Sequence, residues 1–96
     1  MRILIPNRVT PNRSVEVKRK MESLGAPVIY CIEISPDYYF ALEGSHRVTA
    51  AHELGLIPTV IVVDTLDGAD PVLDEVRKTI PVRESRGLLL DFAHIG

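Results

Sequence analysis

The sequence predicts a compact α+β domain, a small mixed sheet with helices packed on it, and three observations carry that prediction. The chain has 96 residues, the length of a single domain, and no long linker or internal repeat divides it. At 46% hydrophobic and 25% charged it has the balance of a globular protein, which excludes disorder for most of its length. Short β-branched runs and helical periodicities follow one another in the order strand, helix, strand, strand, helix, strand, helix.

Ile3-Leu4-Ile5 reads as a short buried strand ended by Pro6. The segment from Asn7 to Arg13 holds Asn, Thr and Pro and reads as a loop. The helix that follows runs to Leu24, and its start has two readings: Thr10 as cap with Pro11 in the first helical position, or Ser14 capping a shorter helix. Val17, Met21 and Leu24 form its apolar face, Glu16 and Lys20 an i,i+4 pair in the favourable order, and Gly25 the stop. Val28 to Ile34 is a β-branched strand, Ser35-Pro36-Asp37 a turn, and Tyr38 to Leu42 the return strand with one of its three rings in the core. A second helix spans Ser45 to Leu54, has Val48, Ala51 and Leu54 on its apolar side, and stops at Gly55. After Pro58, the continuous run from Thr59 to Val63 suggests a central buried strand. Asp70-Pro71 starts a third helix with Val72, Val76 and Ile80 on one face, which Pro81 is expected to end. Gly87 to Phe92 reads as either a short strand or a docked helix.

Charge and composition narrow the function classes. The formal net charge is −2, without the basic excess that displaces counterions from a duplex, so non-specific DNA binding is disfavoured, while a small positive patch for one nucleotide is compatible. No Trp, three Tyr and two Phe leave few rings for a base-stacking surface. The single cysteine, Cys31, forms no intramolecular disulfide, and a reducing, cytoplasmic setting is expected. Pro6-Asn7 cuts the first apolar stretch too short for a signal peptide, and the later apolar runs are too short to span a bilayer.

The chemistry concentrates in the stretch from Phe40 to Ala51, where a strand runs into Gly44 and a helix opens with Ser45, His46 and Arg47. The first turn of a helix has N–H groups without intrahelical partners, and the macrodipole adds partial positive charge there. Gly44 lets a phosphate approach, Ser45 offers a hydroxyl, His46 an imidazole and Arg47 a bidentate donor. Blander roles stand beside these. Ser45 is also a helix-start serine, His46 a surface histidine, Arg47 a partner for Glu43 or Asp37, and Glu43 a carboxylate near a helix N-terminus. Lys18, Arg19 and Lys20 form a charge run of the kind that usually faces solvent. His46, His52 and His94 do not have the spacing of a metal site.

Glu43-Gly44-Ser45-His46-Arg47, followed by Thr49-Ala50-Ala51, Leu54-Gly55, Ile57-Pro58 and Val60 to Val63, resembles the ParB/sulfiredoxin superfamily. Sulfiredoxins carry a Gly-Cys-His-Arg box in this setting, ParB N-terminal domains Gly-Glu-Arg-Arg, and free serine kinases of the same fold an Asp-Gly-His-x-Arg type of box. The resemblance covers residues 1 to 63, and residues 64 to 96 would be a C-terminal extension of one ParB/sulfiredoxin-like domain. It implies that Gly44, Ser45, His46 and Arg47 bind the phosphates of ATP, ADP or CTP, and that Arg19, Lys20 and Ser23 on the first helix face the nucleotide.

The departures from the family select among its reactions. Ser45 stands where sulfiredoxins keep their catalytic cysteine, and Cys31 falls on a strand away from the box, so sulfinic-acid reduction is not expected. Too few residues follow Val63 for the helix-turn-helix and dimerisation domains of a ParB protein. Glu43 matches the acidic residue of the kinases and keeps a carboxylate able to bind Mg²⁺ or take a proton from an alcohol. The expectation is a nucleotide-dependent phosphotransferase acting on a small hydroxylated substrate, with Glu43 and His46 as candidate catalytic groups. The alternatives are a non-catalytic module that binds a nucleotide or docks on a partner protein, and a DNA-associated or nuclease-like domain.

Overall fold

A computed structural model describes residues 1–6, 11–64 and 70–92. The elements are β1 (Arg2–Ile5), α1 (Pro11–Leu24), β2 (Val28–Ser35), β3 (Tyr38–Ala41), α2 (Ser45–Leu54), β4 (Thr59–Asp64), α3 (Pro71–Arg86) and β5 (Leu88–Asp91). They form an α+β domain, a five-stranded mixed sheet in the order β4-β2-β3-β1-β5 with three helices among the described residues. β1 runs parallel to β3 and β2 parallel to β4, while the β2/β3 hairpin and the β1/β5 pair are antiparallel. The hairpin turns at Pro36-Asp37, where Asp37 takes φ 63°, and its register slips between Glu33 and Ser35.

Alternation along the strands divides the core between the two faces of the sheet. Ile3, Ile5, Ile29, Cys31 and Ala41 pack against Met21 of α1 and Val48, Ala50 and Ala51 of α2. On the opposite face Leu4, Ile32 and Phe40 pack against Ile80 of α3, with Leu73 and Val76 half-buried beside them. Phe40 is buried while Tyr38 and Tyr39 are half-buried, so one ring of the three sits in the core. An ion pair ties α3 to the sheet: Arg77 Nε donates to Asp64 Oδ2 at 3.1 Å, with both side chains largely buried. No helix among the described residues is long and apolar enough to cross a membrane.

Several local signals act as the sequence suggests. Asp70 caps α3, its carboxylate accepting from the amides of Val72 and Leu73. Gly25 and Gly55 end α1 and α2 in the left-handed region. α1 includes Pro11, which favours the earlier of its two starts and makes Arg13 helical rather than part of a loop; Thr10 and the loop from Asn7 lie outside the described residues.

Four expectations are corrected. β4 is an edge strand, not a central buried one: among the described residues it pairs only with β2, and Ile61, Val62 and Val63 are each about 40% exposed. A continuous apolar run reports two-sided burial only where layers cover both faces, and α3 lies over the middle of the sheet instead. Pro81 does not end α3, which continues to Arg86. A proline there forfeits one intrahelical bond, and neighbouring Ile80, buried against Leu4 and Phe40, holds the helix through it. Leu24 does not join the apolar face of α1, being 84% exposed in the last turn, whereas Met21 is buried. Val72 is likewise exposed, and Leu73, Val76 and Ile80 make the buried stripe at i, i+3 and i+7. The segment after Gly87, open between strand and helix, is a strand because the free edge of β1 pairs with it.

Gly87 sits where α3 meets β1. A Cβ there would lie 2.5 Å from the Ile5 carbonyl and 2.6 Å from that of Arg83, both backbone atoms with little room to yield. At Gly25 φ is +83° but nothing lies within 4 Å. Gly87→Ala is therefore expected to cost about 3 kcal/mol and Gly25→Ala about 1 kcal/mol, read from chemical denaturation midpoints. Equal losses would contradict the close approach of Gly87 to β1.

Candidate functional site

Chain geometry sets one end of α2 apart. After β3, the Leu42 amide donates to the Tyr30 carbonyl, Glu43 stands in solvent, and Gly44 turns the chain into α2 at φ 80°, ψ 30°. Only glycine adopts that conformation without strain. Gly44 occupies the cap position, and no side-chain hydrogen bond caps the helix. Its first turn is nevertheless fixed, because Ser45, Val48, Thr49, Ala50 and Ala51 are buried and the Thr49 hydroxyl donates to the Ser45 carbonyl at 2.8 Å.

This end of α2 opens into a cleft of about 740 Å³, bounded by α1, the α1–β2 turn and the stretch from Leu42 to Arg47. Val17, Met21 and Leu42 make an apolar floor, and Arg13, Lys20 and Arg47 bring positive charge. The Ser45 residue is only 7% exposed and lines the cleft. Its helix-capping role is not the one seen. His46 is half-buried and also faces the cleft.

Arg47 lies back over Gly44. Its Nη1 donates to the Val28 carbonyl at 3.3 Å and its Nη2 is 3.5 Å from Glu43 Oε1. A Cβ on residue 44 would meet that Nη2 at 3.0 Å and Ile29 Cδ1 at 3.1 Å. Arg47 thus pairs with Glu43, and Asp37 instead pairs with the chain's N-terminal ammonium.

The structure brings together Glu43, Gly44, Ser45, His46, Arg47 and Lys20. Arg19 and Ser23 are exposed on α1 and do not line the cleft. Lys18 bridges to Glu53 of α2 at 2.8 Å, so the run from Lys18 to Lys20 divides into a strut between helices, a solvated arginine and a cleft lysine. The missed residue is Arg13, which lies seven positions before Lys20 on one face of α1. Placing it in a loop hid that spacing.

His52 is exposed and stacks edge-on against Phe92 at 5.4 Å, and His94 lies outside the described residues. Among the described residues no three His, Cys, Asp or Glu side chains gather. A nucleotide-borne Mg²⁺ needs only one or two carboxylates, with water and phosphate oxygens completing its shell. Glu43 at the cleft supplies one such group. No family model, curated protein or solved structure matches this chain.

Cys31 is fully buried on β2 and does not line the cleft. Burial disfavours the thiolate and pushes its pKa from 9.0 up to about 12. The folded state therefore holds this proton to higher pH than the unfolded chain. Stability from this site is whole below about pH 9 and is lost as pH rises toward about 12. Native protein at pH 8 should label with a thiol reagent only after denaturant is added, and Cys31→Ala should flatten the alkaline fall in stability. Rapid labelling of the folded protein would contradict the burial.

Proposed function

We propose that this chain is a nucleotide-binding domain of ParB/sulfiredoxin-like fold, acting as a nucleotide-dependent phosphotransferase on a small hydroxylated substrate. The observation that carries the reading is an uncapped helix N-terminus that opens into a cleft lined by the buried residue Ser45 together with Arg13, Lys20 and Arg47. Helix dipole, amides and guanidinium favour the same anion, a phosphate. The cleft volume falls in the range of small-molecule sites.

In this reading Gly44 to Arg47 hold the phosphates, as the family resemblance implies, and Lys20 and Arg13 extend the positive wall. The apolar floor of Val17, Met21 and Leu42 receives the less polar part of the nucleotide. Mg²⁺ supplies charge neutralisation when bound, with Glu43 as its protein carboxylate. Glu43 or His46 takes the proton from the substrate hydroxyl, and the rest is positioning and charge stabilisation. A non-catalytic nucleotide-binding switch is the second reading. It is favoured by the Glu43–Arg47 pair, which occupies the one carboxylate that lines the cleft among the described residues.

Thermal shift with ATP, ADP and CTP, with and without Mg²⁺, tests binding. A ligand at a hundred times its Kd stabilises by about 2.7 kcal/mol, which lifts the Tm of a domain this size by about 10 °C or more. Arg47→Ala should weaken binding by about 10- to 100-fold. Glu43→Ala should stop phosphoryl transfer without weakening binding, whereas under the second reading the wild type turns nothing over. No shift with any of the three nucleotides would end both readings.

A further inference from the structure

Arg47 is already occupied where the proposed phosphate would need it. Its two terminal nitrogens meet the Val28 carbonyl at 3.3 Å and Glu43 Oε1 at 3.5 Å, and the guanidinium lies across Gly44. Both contacts are long and exposed, of a kind that contributes little. An arginine–phosphate contact is charge-assisted and fits the guanidinium fork bidentately. The weaker pair therefore yields to the stronger one.

We propose that Glu43 is the resting counter-ion of Arg47, holding the guanidinium over Gly44 until a phosphate displaces the carboxylate. This rests on the phosphate-binding reading above and adds how that site is kept closed. It also explains a geometry that simple attraction does not. The glycine that opens the helix end to an anion is covered by the arginine that would bind the anion. Glu43 and Arg47 are four residues apart, across the Gly44 turn, so the pair needs no other element to form. Exchange frees both partners at once: Arg47 turns to the phosphate and the released carboxylate is left at the cleft mouth. A second observation independent of the pair points to the same ligand. Ser45, a residue only 7% exposed, lines this cleft at a helix end that no side chain caps, so an anion there gains a hydroxyl donor as well as the guanidinium.

The other ionisable side chains lining the cleft among the described residues are His46 on α2 and Arg13 and Lys20 on α1. Lys20 is balanced by Glu16 at 3.7 Å, both strongly exposed. Glu43 is therefore the acidic group placed to compete for Arg47.

The test is calorimetric titration of ADP and of inorganic pyrophosphate without divalent metal, into wild type, E43Q, R47A and the E43Q/R47A double variant. Removing the competitor should tighten both ligands by about two- to five-fold in E43Q, and the gain should vanish in the R47A background, where no guanidinium remains to release. A gain of the same size in both backgrounds would mean that Glu43 only repels the ligand, and would overturn the exchange. Weaker binding to E43Q would overturn it too, because the carboxylate would then be a ligand contact. Should wild type bind neither ligand, the phosphate reading itself fails, an outcome distinct from a wild type that binds while E43Q brings no gain. Equal denaturation midpoints for E43Q and wild type separate the effect from a change in folding.

Discussion

The left-handed turn at Gly44 is the constraint on which the site depends. It lets the chain leave β3 and enter α2 within three residues, so the helix begins against the sheet rather than beyond it. A side chain at residue 44 would be strained at φ +80° and would crowd Ile29 of the core and Arg47 of the cleft, at 3.1 and 3.0 Å. One conformation therefore sets the floor and the lip of the cleft together. The small residues that follow complete the arrangement. Ala50 and Ala51 are almost entirely buried and let α2 lie close on Ile29, Cys31 and Ala41. The orientation of the helix N-terminus is thus fixed by core packing, and its polar groups need no further support to stay in place.

Sign of charge is a local property here. The chain as a whole is slightly acidic, yet Arg13, Lys20 and Arg47 converge on one cleft. Exposed carboxylates pair with two of them, Glu43 with Arg47 and Glu16 with Lys20, while other acidic residues lie away from the cleft, as in the Lys78 pairs with Asp74 and Glu75 and the Lys18 pair with Glu53. Beyond about a Debye length such exposed charges are screened, so a phosphate in the cleft feels its own walls more than the net charge. The acidic total that disfavours a duplex is for that reason no obstacle to a single nucleotide.

What was legible in the sequence was local. Caps, glycine stops, the hairpin turn and the run from Glu43 to Arg47 each act within a few residues; the Asp70 helix start reads directly, while Arg47's partner is open between Glu43 and Asp37 until the structure pairs it with Glu43. What was not legible depends on partners remote in the chain. The run from Thr59 to Val63 is as apolar as a central strand, and its place at the edge is decided by β3 occupying the other side of β2. The strand after Gly87 exists because β1, at the opposite end of the sequence, offers an edge. Pro81 reads as a terminator until Ile80 is seen to be clamped on Leu4 and Phe40. In the site, the contiguous residues were visible, while Arg13 required knowing where α1 begins.

The last third of the chain bears on the cleft although no described residue of it lines the cleft. β5 returns to lie on β1, and the two chain segments close on each other. The Met1 ammonium donates to the Phe92 carbonyl at 3.1 Å, and the Phe92 amide donates to the Met1 carbonyl at 2.7 Å. Leu90 and Phe92 then join the same buried cluster as Met21, Val48 and Ala51. These three belong to α1 and α2, the two helices whose relative position defines the cleft walls. α3 works from the opposite face, where Arg77 fastens to Asp64 and Ile80 backs the strand that carries Phe40. α3 therefore supports the sheet on its far side, and Leu90 and Phe92 complete the core beneath α2. The run from Glu43 to Arg47 and the α1 cations opposite it are held in shape by apolar groups that reach from Ile3 to Phe92.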